Sequence, residues 1–139
     1  MIALAATPTT APDPTTPSPL AAAIYKLLVR RLGAAVPTLT YGELVTALAP
    51  RHVTHRRSAA LHAALGEVCA MCRARDLPCL PALVHRADSG RPGPAYYRQA
   101  HPRLRSDAAR VAAWEAELAA VVRGARRFVP PLARPPRTP

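Results

Sequence analysis

Thr40-Tyr41-Gly42-Glu43-Leu44-Val45-Thr46-Ala47-Leu48, followed after an Arg- and His-rich stretch by Ser58-Ala59-Ala60-Leu61-His62-Ala63-Ala64-Leu65, decides the fold. Thr40 and Glu43 stand at the spacing of a capping box, in which a hydroxyl and a carboxylate each satisfy an orphan amide at a helix start. Leu44, Val45 and Leu48 give that helix an apolar side, and Pro50 bars its continuation. Arg51, His52, His55, Arg56 and Arg57 fill the connection. Ser58 then caps a longer helix reaching about Arg75, whose Leu61, Leu65, Val68, Cys69 and Cys72 keep helical spacing. A short helix, a tight connection and a longer helix make a helix-turn-helix.

Upstream, Leu20, Ile24, Leu27, Leu28 and Leu32 form the stripe of an amphipathic helix over 20–32, with Gly33 placed just past its end. Downstream, Pro78 and Pro81 break the long helix, and Ala82-Leu83-Val84-His85 has strand character. Asp88-Ser89-Gly90 is a turn signal, and Ala95-Tyr96-Tyr97 reads as the returning strand of a β-hairpin that carries Arg86, Arg91 and Arg98. Ser106 caps a last helix over Asp107–Arg123, with Val111, Trp114, Leu118, Val121 and Val122 on its apolar side. The expected fold is therefore mainly α with a small β-hairpin: a winged helix-turn-helix with an extra C-terminal helix. A small α+β domain without any nucleic-acid role has the same element order. Residues 1–19 read as a disordered Pro/Thr-rich tail, 20–124 as the folded domain, and 125–139 as a basic, Pro-rich tail.

The chain of 139 residues carries 19 basic against 8 acidic side chains, a net charge of +11, and Lys26 is its one lysine. Arginine's planar fork suits phosphate, so the excess points to a polyanionic partner if the arginines share a folded face. Scatter over the surface would instead reflect a GC-rich genome, which enriches Ala, Arg and Pro together. Half of the residues are hydrophobic, which is a globular proportion despite 17 prolines. No apolar run approaches the ~20 residues of a membrane span, and Met1–Ala6 lacks a basic leader, so a cytoplasmic protein is expected. Cys69, Cys72 and Cys79 are an odd set and make no disulfide framework.

Thr40-Tyr41-Gly42-Glu43-Leu44 resembles the T-Y-G-E-L/I segment of the methylated-DNA–protein cysteine alkyltransferases and their non-enzymatic alkyltransferase-like relatives. Ser58 to Leu65 is similar to that family's recognition helix, A-R-A-V-G-x-A-L, and Leu83-Val84-His85-Arg86 to its P-C-H-R segment. Gly93-Pro94-Ala95-Tyr96 stands where the family has Gly-Tyr, and the resemblance spans about residues 36–98. It implies a winged helix that binds DNA, with Tyr41 as counterpart of the tyrosine that helps rotate an extruded nucleotide. The alkyl-accepting cysteine falls on Val84, so the resemblance implies no alkyl transfer. The arginine inserted into the duplex falls on Ala59, with Arg57 two residues earlier as its substitute if the helix starts differently. Leu65-Gly66-Glu67-Val68, Cys72, Leu77-Pro78, Ala82-Leu83-Val84 and Gly90-Arg91-Pro92-Gly93 also resemble a pattern of small uncharacterised bacterial proteins, which implies no function.

The expected nucleic-acid-binding set, duplex DNA favoured, is Tyr41, Arg56, Arg57, Ser58, His62, Arg75, Arg86, Arg91 and Arg98. No catalytic constellation and no cofactor motif occurs, so no enzyme is expected. Cys69, Cys72, Cys79 and His85 have the ligand types of a zinc site, but Cys69 and Cys72 fall on the apolar side of a helix, where cysteines behave as small hydrophobes. The competing function is a protein–protein adaptor, or a phage- or defence-related accessory protein, docking through the helix around Trp114.

Overall fold

A computed structural model describes residues 16–128. Of the stretches 1–19 and 125–139 read above as tails, residues 1–15 and 129–139 lie outside the described residues. Among those described are five α-helices and one two-stranded sheet. Helix α1 (Pro19–Arg31) begins one residue earlier than its apolar stripe predicts, because Ser18 caps it and accepts from the Ala21 amide. Ser18 also donates through its amide and its hydroxyl to the two oxygens of Glu67, at 2.9 Å each, fastening the start of α1 to the long helix.

Strand β1 (Leu39–Thr40) leads directly into α2 (Tyr41–Leu48), and α3 (Ala59–Ala74) follows with Ser58 as its N-cap. Both caps form as the sequence dictates. The Thr40 hydroxyl accepts from the Glu43 amide at 3.0 Å, the Glu43 carboxylate accepts from the Thr40 amide at 2.8 Å, and the Ser58 hydroxyl accepts from the Leu61 amide at 3.0 Å. A 3₁₀ turn (Leu80–Leu83) then feeds β2 (Val84–His85). Ile24, Leu28, Leu44, Leu61, Val68, Leu80 and Leu83 form the interior, where α1, α2, α3 and the 3₁₀ turn meet.

The β-hairpin does not form. Val84–His85 pairs in parallel with Leu39–Thr40, Leu39 opposite Val84 and Thr40 opposite His85. Ala95-Tyr96-Tyr97, expected as the return strand, lies in helix α4 (Pro94–Ala100). The cause is local: Gly93 takes an extended N-cap conformation and Pro94 occupies the first helical turn, where its fixed φ favours a helix and its missing N–H costs nothing. Tyr96, Tyr97 and Ala100 then fall on one buried face. Side-chain alternation over three residues cannot tell that face from a strand. The turn expected at Asp88-Ser89-Gly90 is present, with Gly90 at φ +71°, but it leads into a helix.

Helix α5 (Asp107–Arg123), capped by Ser106, lies against the 3₁₀ turn. Its Trp114 Nε1 donates to the Ala82 carbonyl at 2.9 Å, and the Glu117 carboxylate accepts from the Cys79 amide and faces Arg73 at 3.5 Å. Packing continues past 124: a second 3₁₀ turn (Ala125–Arg127) brings Phe128 into the core, so the folded part extends beyond the boundary expected from proline content. No helix among the described residues is long and apolar enough to cross a membrane.

Replacing Trp114 by Phe keeps most of the packing but leaves the buried Ala82 carbonyl unpaired. The expected loss is roughly 1–3 kcal/mol, read as a lower urea midpoint by circular dichroism. An unchanged midpoint would show that the indole bond does not hold α5 in place.

Candidate nucleic-acid interface

The parallel pairing sets the start of α2 beside the segment that follows β2, and a cleft of about 590 Å³ opens between them. Its lining comes from three places in the chain: Thr40, Tyr41 and Gly42 from the start of α2; Arg56, Arg57 and His62 from the entry to α3; and Arg86, Ala87, Asp88, Gly93 and Pro94 from the turn before α4.

Tyr41 forms the inner wall. Its ring is buried, its hydroxyl accepts from the Gly93 amide at 3.0 Å, and its ring centre lies 5.3 Å from that of His62. Burial pushes the Tyr41 phenol above its ordinary value, opposed in part by the Gly93 amide. Tyr41, expected in the nucleic-acid-binding set, thus presents a hydroxyl already bonded to the Gly93 amide.

Local hydrogen bonds order the connection that brings in Arg56 and Arg57. The Arg57 amide donates to His55 Nδ1 at 3.1 Å, and the His62 ring pairs through Nε2 with the Arg56 carbonyl at 3.0 Å. Thr54 and Ser58 join hydroxyls at 2.9 Å. Both arginine side chains stay exposed above a fixed backbone. His55 and His62 thus hold that backbone, and the Ser58 hydroxyl serves the helix cap.

Arg86 stands opposite, on a turn closed by its own backbone. Its amide donates to the Arg91 carbonyl and its carbonyl accepts from the Gly90 amide, both at 2.9 Å. The guanidinium engages Asp88 at both prongs, Nε to Oδ1 at 3.0 Å and Nη2 to Oδ2 at 2.7 Å. The paired Asp88 raises the Arg86 guanidinium further above its ordinary value, and Arg86 holds the Asp88 carboxyl below the usual range.

Of the expected binding residues, Tyr41, Arg56, Arg57, His62 and Arg86 share the cleft, with Ser58 capping the helix beside it. Arg75 caps the far end of α3, which at 16 residues and 1.5 Å per residue is about 24 Å long. Arg98 is exposed on α4 instead of on a wing, and the exposed Arg91 lends the turn its carbonyl without lining the cleft. Sequence reasoning passed over Asp88, which it used only as a turn signal; the Arg-x-Asp spacing across a tight turn was the available clue.

The three cysteines lie near one another in the core, but His85 does not join them. Among the described residues no group of three or more His, Cys, Asp or Glu side chains could hold a metal ion. Cys69, Cys72 and Cys79 are buried and unbridged, and burial pushes the Cys72 thiol up to about 11. His85 contacts the Arg86 carbonyl instead, at 3.1 Å from Nδ1. Trp114, the expected centre of a protein-docking helix, turns inward onto Ala82, and Leu118 packs against the core. No family model matches the chain, and neither the curated proteins nor the solved structures hold a significant match to it.

Tyr41, Tyr96 and Tyr97 all have phenols raised above 10.0, burial being the first cause for each. The folded state therefore favours the neutral phenol. Stability from this source is full below the unfolded value near pH 10 and is lost as pH rises through the higher folded values. The urea midpoint should fall above pH 10, with phenolate absorbance in the native protein lagging behind that of the unfolded chain. Simultaneous titration of the native and unfolded tyrosines would contradict this burial.

Proposed function

We propose that the protein binds duplex nucleic acid, DNA foremost, and performs no chemistry on it. One observation carries the reading: Arg56, Arg57 and Arg86, from two distant segments, converge on one cleft at the start of α3. Phosphate is the ligand whose charge and oxygen geometry match several guanidinium forks at once. The surroundings support it, because no acidic residue occurs between Glu43 and Glu67.

In this reading α2 and α3 act as the helix-turn-helix, and the closed turn at residues 86–91 takes the place of a wing against the backbone. The exposed residues of α3 are Ala59, Ala60, Ala63, Ala70, Arg73 and Ala74, and the Arg73 guanidinium is already engaged by the Ala100 carbonyl and Glu117. Such a face can approach a groove closely but offers no side-chain hydrogen bond to a base edge. Binding is accordingly governed by phosphate contacts and shape, with little sequence preference.

The resemblance to alkyltransferase-like proteins fits the same cleft. Val84, at the acceptor-cysteine position, is buried in β2 and carries no nucleophile. Arg57 lines the cleft from the residue before the α3 N-cap, close to where that family inserts an arginine. An extruded nucleotide would enter here, beside Tyr41.

Fluorescence anisotropy with a labelled DNA duplex tests the reading. If the three cleft arginines each neutralise one phosphate, log K should fall with log salt at a slope of about −2.7. Arg57→Ala should weaken binding to unrelated sequences equally and reduce the slope by about 1. Absence of binding at low salt, or a slope indifferent to Arg57, would overturn it.

A further inference from the structure

Among the described residues that line the cleft, Asp88 is the one acid beside three arginines. It is not a spectator, since its two oxygens take both prongs of Arg86. We propose that Asp88 is a built-in competitor for the incoming phosphate: it occupies Arg86 in the free protein and gives it up when a phosphodiester enters. This inference rests on the phosphate-binding reading above.

A carboxylate and a phosphodiester present similar pairs of oxygens, so either satisfies the guanidinium fork. The pair is also exposed, with side-chain accessibilities of 51% for Arg86 and 67% for Asp88. Exposed ion pairs are weak, so the exchange needs little driving force. A phosphate entering the cleft meets Arg56 and Arg57 as well, whereas Asp88 reaches one cation.

The turn does not depend on the pair for its shape. Backbone bonds from Arg86 to Arg91 and from Gly90 to Arg86 close it, and Gly90 supplies the positive φ. Breaking the pair therefore alters affinity while leaving the scaffold alone. It selects for ligands with successive phosphates. A backbone can engage Arg56 and Arg57 first and capture Arg86 afterwards, while a lone phosphate faces the carboxylate at once.

A double-mutant cycle in duplex binding at low salt tests the exchange. Asp88→Asn keeps an oxygen for the turn but removes the charge. It should tighten binding by roughly five-fold, the upper range for an exposed pair, and steepen the salt slope. Arg86→Ala should weaken binding, and in that background Asp88→Asn should gain less than about two-fold. An equal gain in both backgrounds would overturn the exchange, leaving only diffuse repulsion. Weaker binding by Asp88→Asn would overturn it too, since Asp88 would then be a ligand contact. Failure of the unaltered protein to bind any duplex would sink the phosphate reading and this inference with it. Binding indifferent to Arg86→Ala would sink the inference alone.

Discussion

The pairing of Leu39 with Val84 and of Thr40 with His85 joins segments 45 residues apart, and the cleft exists because of it. Two residues per strand form too small a sheet to be stable by itself. The ladder persists because Leu39 and Val84 are both buried, with Leu44 and Leu83 in the same core. Once made, it puts the α2 capping box and the Arg86 turn on either side of one opening. The bond from the Gly93 amide to the Tyr41 hydroxyl, spanning 52 residues, fastens the far wall.

Features that depend on neighbouring residues were legible in the sequence. The caps at Thr40, Ser58 and Ser106 and the extents of α2, α3 and α5 follow from side chains within four residues of each helix start and from stripes long enough to show a period. The parallel ladder was hidden, because a two-residue strand has no period and its partner is non-local. Ala95-Tyr96-Tyr97 misled for a related reason. A helix of seven residues is short, and its decisive signals, Gly93 and Pro94, sat inside what was read as hairpin loop.

The site was legible where it depends on charge density and obscure where it depends on direction. Arg56, Arg57, His62 and Arg86 could be nominated from their place around the expected helix-turn-helix, and Tyr41 from the resemblance. Arg75 was nominated by membership of α3, yet caps its C-terminal end and does not line the cleft. Arg98 was placed on the hairpin and lies instead on α4. The roles of His55 and His62 as braces for the Arg57 and Arg56 backbone could not be seen, since both bonds need the folded course of the connection. The net charge of +11 is thus divided: one cluster has a structural address, while residues such as Arg73 and Arg110 hold the Ala100 and Leu104 carbonyls elsewhere.

Backbone amide shifts in a nuclear magnetic resonance titration with a short DNA duplex test the central claim most directly. The predicted shifts centre on residues 40–42, 56–62 and 86–94 and leave α5 unchanged. Shifts confined to α5, or spread evenly over the surface arginines, would contradict a cleft-centred interface and return the charge to composition alone.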